Sequence, residues 1–204
     1  MSRSQDVLLL ASASPQRRHL LGRLGLTLEV RSPDADELDS GDATRVAATN
    51  AARKLDAVAA TLAGGDLGRT VLACDTVVGL PDGTILGKPA DVADARRMLE
   101  LLADGDHVVT SAVAIATVGA GGTLVELAHH HEQTGVSFTP IDSPTMDWYL
   151  ATGQWQGRAG GYAIQESAQA FVAGIHGDVS NVIGLPLPWV AAELARRGCF
   201  PPTG

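Results

Sequence analysis

The stretch LLLASASPQRRHLL, residues 8–21, changes character twice within a few positions. Leu8, Leu9 and Leu10 form a short apolar run of the kind that makes a buried strand. Small polar residues follow, Ser12 and Ser14, and then Pro15, where a helix places its N-cap and its first turn. Arg17 and Arg18 fall within that turn, and Leu20, Leu21 and Leu24 supply an apolar helix face. A strand that feeds a helix N-terminus presents unpaired backbone N–H groups at the positive end of the helix dipole. Two hydroxyls and two guanidiniums beside it describe an anion site, with phosphate as the natural occupant. A capped helix with solvated arginines accounts for the same residues if nothing else in the chain points to phosphate.

Outward from this unit, strands and helices alternate. The patterns predict strands over 7–12 and 27–32, a polar acid-rich loop over 33–41, and a helix from about 43 to 63 ended by Gly64-Gly65. TVLACDTVVGL (70–80) is nearly continuous in apolar residues, as a central strand should be. Pro81-Asp82-Gly83 turns into the short strand TILG, and a helix starts at Asp91 and runs to 103. Strands over 107–118 and 123–139 form a hairpin through Gly119–Gly122. A helix over 143–153 has Ser143 as N-cap, GYAIQ and AFVAGIHG read as two short strands, and a last helix covers 188–197, with a frayed tail from Gly198. The prediction is α/β, with a mixed central sheet flanked by helices, in one domain over residues 1–204 with two lobes and a cleft.

Composition narrows the function. With 204 residues and 45% of them hydrophobic, the chain can bury a sizeable core. No apolar run reaches the roughly 18 residues of a membrane span, and the N-terminus, with Arg3, Gln5 and Asp6, does not read as a secretory signal. A net charge of −8 argues against nucleic acid or an anionic membrane as partner, though not against a small phosphate-rich ligand. Cys74 and Cys199 make no metal or redox motif, which suits a reducing cytoplasm.

Single residues then stand out. Asp75 lies in the middle of an apolar strand, where a carboxylate is costly unless paired or given a cation; a structural ion pair is the plainer account. Glu37 stands among Asp34, Asp36 and Asp39, where most acids are simply solvated. Lys88, between Gly87 and Pro89, is a rigidly placed cation or an ordinary turn lysine. His129-His130-His131 invites a metal, but two histidines on one strand face are not a complete site, and a solvated strand surface is expected. His107 opens a strand and has no catalytic context. Trp148, Tyr149 and Trp155 are read as core rather than as a base platform.

Taken in order, SASPQRR (12–18), Glu37 in SPDADE, CDTVV with Asp75 and Thr76, ILGKP with Lys88, AGGYAIQ with Gln165, and SNVIGLPL at 180–187 resemble the Maf family of nucleoside triphosphate pyrophosphatases. The resemblance covers nearly the whole chain. It implies an inosine triphosphatase-like two-lobed fold. It also implies water attack on a nucleoside triphosphate, giving the monophosphate and pyrophosphate with no covalent intermediate. Asp75 would be the general base or a metal ligand, and Glu37 would share a divalent cation, Mg²⁺ or Mn²⁺, with it. Asp36 is an alternative to Glu37. Ser12, Ser14, Arg17, Arg18, Lys54 and Lys88 would face the phosphates, with Arg53 and Arg45 as alternatives to Lys54. In relatives that prefer dTTP and UTP, base choice is associated with three positions, here Gln16, Thr76 and Gln165. The last two match and the first does not, because the family pattern has arginine where this chain has Gln16. A Gln amide donates and accepts but carries no charge, so a blunter base preference is expected. Two other functions compete. One is a nucleotide-binding regulator of cell division without turnover, and the other a hydrolase with Ser14 as nucleophile, which lacks a placed base. Self-association as a homodimer is left open.

Overall fold

In the computed structural model, which describes residues 7–32 and 34–201, seven strands form one sheet. The elements run β1 (Val7–Ala11), α1 (Pro15–Arg23), β2 (Thr27–Val30), α2 (Ala43–Ala59), β3 (Thr70–Gly79), β4 (Ile85–Leu86), α3 (Val92–Leu102), β5 (Asp106–Val118), β6 (Leu124–Phe138), α4 (Ser143–Ala151), β7 (Val172–His176), α5 (Val179–Ile183) and α6 (Leu187–Arg196). The spatial order is β2-β1-β3-β5-β6-β7, with β4 also on β3. β1 is parallel to both β2 and β3, and every other pairing is antiparallel. The sheet is therefore mixed, as the alternation of elements predicts.

The continuous apolar run of β3 has its reason here: both faces of the strand are covered. Val71, Ala73 and Val77 pack under Val46, Ala47, Ala51, Leu55 and Val58 of α2. Leu72 and Cys74 face Leu20 and Leu21 of α1 and Val190 and Leu194 of α6. A third cluster joins α3, α4 and the far ends of β5 and β6 through Leu99, Tyr149, Phe138 and Phe171. The first two clusters make one lobe and the third makes the other.

One edge of β3 is interrupted. β5 pairs with β3 along its whole length, Thr70 to Gly79. On the opposite edge β1 ends at Ala11, opposite Ala73, and β4 begins only opposite Val78. Cys74 to Val77 have no strand partner on that side. The chain leaving β1 turns away there into the α1 N-terminus. This is the opening at the carboxyl end of a strand where α/β sheets place ligands.

Several expectations are corrected. α2 stops at Ala59, and Gly64-Gly65 belong to a separate 3₁₀ turn, Gly64–Asp66, rather than ending the helix. Asp142, not Ser143, caps α4: its carboxylate accepts the Thr145 N–H at 2.9 Å. GYAIQ is not a strand. Gly160 and Gly161 have φ of 69° and 71°, and a 3₁₀ turn occupies Ala159–Gly161. A second 3₁₀ turn, Ser167–Phe171, precedes β7. α5 is a five-residue helix not anticipated from the sequence, capped by Asp178 and stopped by Gly184 at φ 125°. The chain end does not fray at Gly198: Cys199 donates its N–H to the Leu194 carbonyl, and Cys199 and Phe200 pack on the core. Residues 1–6 and 202–204, to which the reading of the N-terminus and the rest of the tail applied, lie outside the described residues.

β2 is short and half exposed, so packing alone holds it weakly. A four-residue ion cluster ties it down. Arg31, just past β2, grips Asp66 through both terminal nitrogens at 3.0 and 2.7 Å and also reaches Glu29. Arg69 bonds the same Asp66 at 3.0 Å and Glu29 at 2.8 Å. The Arg31 guanidinium lowers the Asp66 carboxyl to about 2. A depressed carboxyl stabilises the fold fully above its unfolded value and loses that contribution as pH falls through the folded value. Melting temperature should therefore drop as pH falls from about 4 to about 2. Asp66→Asn should flatten that limb. A residual slope should remain from Glu193, which Arg196 holds at about 2 as well. Parallel melting curves for the two proteins between pH 2 and 5 would refute this role.

Candidate functional site

A cavity of about 330 Å³ opens at the gap in the β3 edge, between the lobes. Its first wall is the turn after β1, with Ser12, Ser14 and Gln16. Ser14 caps α1, its Oγ accepting the Arg17 N–H at 3.4 Å, and it donates its own proton to Gln16 Oε1 at 3.0 Å. The N-cap and the proline at the helix start fall where the sequence puts them.

The floor is a charged set. Lys54 on α2 is 6% exposed, and its ammonium lies 2.5 Å from Asp75 Oδ1 and 2.9 Å from Glu37 Oε1. The second Asp75 oxygen accepts from Asn50 Nδ2 at 3.1 Å. Asn50, one helical turn before Lys54, also bonds the Leu38 backbone at both ends: its Oδ1 accepts the Leu38 N–H at 2.7 Å and its Nδ2 donates to the Leu38 carbonyl at 3.0 Å. Strand β3, helix α2 and the acid-rich loop thus meet at two buried side chains. Asn50 was not singled out in the sequence. Its signal is an amide at a core position of an otherwise apolar helix stripe. Of the acids in the loop, Glu37 reaches the cavity while Asp36 is exposed outside its lining. Arg45 and Arg53 are exposed too, and Arg53 donates to the Asp36 carbonyl instead.

The opposite face of β3 carries a second network. Side chains alternate along a strand, so Thr76 points away from Asp75, toward α1 and α5. Arg17 is 8% exposed. It donates to Ser12 Oγ at 3.0 Å, Thr76 Oγ1 at 3.0 Å and the Gly184 carbonyl at 2.9 Å. Thr76 Oγ1 also lies 2.8 Å from Ser111 Oγ. Three of the five Arg17 donors are thus committed to protein acceptors. Its charge still lines the cavity, but it binds α1, β3 and the end of α5 together. Arg18, paired with it in the sequence reading, is exposed and not among the lining residues. A residue one further along a helix points about 100° away.

The far wall belongs to the second lobe. Lys88 is exposed there, and among the described residues it has no ion-pair partner. Tyr162, Gln165 and Arg158 complete the wall. Arg158 and Tyr162 have no role in the sequence reading, although Arg158 precedes the AGGY segment and Tyr162 ends it. Tyr162 hydrogen-bonds His107 at 2.9 Å. His107 is packed edge-on against Phe138, and burial pushes its pKa down to about 4, so it is a neutral core residue. Tyr149 and Trp155 are buried as expected, whereas Trp148 is 50% exposed and belongs to neither core nor cavity. His129 and His131 are exposed on β6, and His130 stacks on Trp189 at 4.8 Å.

The structural ion pair weighed for Asp75 is present, with Lys54 as its partner. An unpaired buried acid would be relieved by Asp75→Asn, but this acid is a partner of a buried ammonium. Removing its charge leaves Lys54 with Glu37 alone. Losing one partner of a buried pair costs about 3–5 kcal/mol, and the remaining carboxylate reduces that. Asp75→Asn should therefore lower the melting temperature by several degrees. Asn50→Leu should lower it less and loosen the Leu38 segment, seen as faster amide exchange at Leu38. An unchanged or higher melting temperature for Asp75→Asn would contradict the ion-pair geometry.

Comparison with known proteins agrees with the residue pattern. The family model described as "Maf-like protein" matches residues 7–197. A protein named dTTP/UTP pyrophosphatase from Anaeromyxobacter dehalogenans is 46% identical over 95% of both chains. Another of that name, from Pelotomaculum thermopropionicum, is 40% identical over 94% of this chain and 96% of its own. A solved structure, the Staphylococcus aureus Ham1 protein, aligns with a TM-score of 0.43 at 15% identity, covering 65% of this chain and 71% of that one. That likeness is too slight to inform the site, which is interpreted through the sequence relatives and its own geometry.

Proposed function

The chain belongs to the Maf family, and on that premise we propose that it hydrolyses nucleoside triphosphates to the monophosphate and pyrophosphate, preferring dTTP and UTP. The observation that carries this reading is the charge of the cavity. In a chain of net charge −8, four cationic side chains, Arg17, Lys54, Lys88 and Arg158, line it against two carboxylates, Glu37 and Asp75. A concave cationic site on an acidic protein concentrates polyanions. The relatives named dTTP/UTP pyrophosphatase supply the base preference. Gln16, Thr76 and Gln165, the positions associated with that choice, all line this one cavity.

Each residue then has a task. Asp75 takes the proton of the water that attacks the α-phosphorus, and the bond to the β-phosphate breaks with pyrophosphate leaving. Lys54 and Asn50 hold the Asp75 carboxylate in place, one on each oxygen. Lys88 faces the phosphate chain as a point charge. Ser12 and Ser14, at the α1 N-terminus, shape the wall beside it. The donor chemistry also fits a hard divalent cation. Glu37 and Asp75 both hold the Lys54 ammonium, so a cation would be held by the carboxylate lone pairs that Lys54 leaves free. Among the described residues no group of three or more His, Cys, Asp or Glu gathers to hold an ion. Two carboxylates with phosphate oxygens and water completing the shell is the habit of Mg²⁺, which when bound would neutralise charge on the triphosphate. No helix of the described residues is long and apolar enough to cross a membrane.

The test is product analysis. With UTP and Mg²⁺ the protein should release UMP and pyrophosphate, and excess chelator should abolish turnover. Asp75→Asn should lower kcat by roughly 10²-fold or more. Release of orthophosphate alone would refute the proposal. The base preference has its own test. Gln16 brings no charge where the family pattern has arginine, so several nucleotides should be substrates, with pyrimidines among the better. Gln16→Arg should raise the kcat/KM ratio of UTP over GTP by roughly ten- to a hundredfold, the scale of one hydrogen bond to a charged group. Identical ratios in the two proteins would remove Gln16 from base choice.

A further inference from the structure

Arg158 has no assigned task beyond lining the cavity. It sits on a segment whose backbone is built for it. Gly160 takes φ 69°, and a Cβ there would come within 3.0 Å of Val78 on β3, so only glycine allows this approach. The Gly160 N–H donates to the Gly87 carbonyl at 2.9 Å, which fixes the Arg158 segment to the residue before Lys88. The Arg158 backbone is held from both sides, its N–H donating to Trp155 and its carbonyl accepting from Gly161.

The side chain is held far less well. Among the described residues its hydrogen bond is a single one, from Nη2 to Glu166 Oε1 at 3.4 Å, near the outer limit for such a bond. The Arg158 side chain is 19% exposed and Glu166 36%. Its Nε is buried with no partner at all. A buried donor left unmade is destabilising, and native proteins rarely keep one without a use. Arg17 is the opposite case, with three donors satisfied by protein. A weak exposed ion pair contributes little and is readily exchanged, whereas a phosphate offers a guanidinium two parallel acceptors.

Building on the proposed triphosphate site, we propose that Arg158 is a binding residue for the substrate's phosphate chain, reaching it from the second lobe beside Lys88, and that Glu166 is the counter-ion the phosphates displace. Glu166 then competes with substrate instead of helping it. The pair clamps the anion from the wall opposite Lys54 and Asp75.

The experiment separates phosphate from base and binding from turnover. Calorimetry measures affinity for inorganic tripolyphosphate, which has the chain without a nucleoside, and for uridine, which has the nucleoside without phosphate. Arg158→Ala should weaken tripolyphosphate by at least roughly tenfold, the low end for a charge-assisted hydrogen bond, and leave uridine unchanged. Arg158→Lys should recover part of the loss. Glu166→Gln should tighten tripolyphosphate about two- to fivefold, because the competitor is gone. Wild-type tripolyphosphate affinity in Arg158→Ala overturns the proposal, and so does a loss in Glu166→Gln that mirrors Arg158→Ala, since that marks a structural strut. If Arg158→Ala fails to fold, the sign of the Glu166→Gln change decides. Wild-type hydrolysis of UTP to UMP and pyrophosphate is scored in parallel. Its failure refutes the proposed function while leaving the Arg158 contact standing; a null result in the variants with normal wild-type turnover refutes the contact alone.

Discussion

Lys54 is a buried ammonium, and the site is arranged around satisfying it. An isolated charge at that depth would be strongly destabilising. Two carboxylates from different parts of the chain meet it, Asp75 from the central strand and Glu37 from the loop before α2. The same helix face holds the rest of that loop. Asn50 binds Leu38 at both its N–H and its carbonyl, and Arg53 binds the Asp36 carbonyl. One and a half turns of α2 therefore position a segment that has no regular structure of its own. The carboxylates that satisfy the buried charge are the ones to which the proposed function gives a task, so on that proposal stability and function are coupled at this point.

The sheet determines why these groups are reachable. A central strand covered on both faces and paired on both edges would bury Asp75 beyond any ligand. The end of β1 opposite Ala73 and the start of β4 opposite Val78 leave a window between them. Through it Asp75 and Thr76, adjacent in sequence but on opposite faces, both border one cavity. Each face has its own clamp. On the Asp75 side it is ionic, through Lys54. On the Thr76 side it is Arg17 bonding neutral acceptors, among them the Gly184 carbonyl, which a positive-φ turn presents.

Much of this could be read in the sequence, and the failures have physical causes. The strand–cap–helix unit at 7–23, the buried β3 and the long hairpin follow from local periodicity and capping, and they stand in the structure. GYAIQ reads as a strand because Tyr162, Ala163 and Ile164 are apolar, and they are buried without being one; Gly160 and Gly161 at positive φ break the extended path. Asn50 was missed because its role depends on what lies opposite it, Leu38 and Asp75, which no periodicity records. Arg17 and Arg18 look equivalent in sequence. One helical step separates a buried guanidinium bonded on three sides from an exposed one outside the cavity.

That last contrast bears on how a cationic motif is interpreted. Positive charge near an anion site has two uses, holding the protein and holding the ligand, and the hydrogen-bond inventory of each group tells them apart. A guanidinium whose donors already meet protein oxygens contributes its field to the cavity but has few bonds left to give. One with an orphan donor and a long, exposed ion pair has bonds to spare. By this criterion the first lobe of the chain supplies the scaffold cations, Arg17 and Lys54, and the second supplies the available ones, Lys88 and Arg158. A polyanion bound in the cavity would supply the acceptors that the second set lacks.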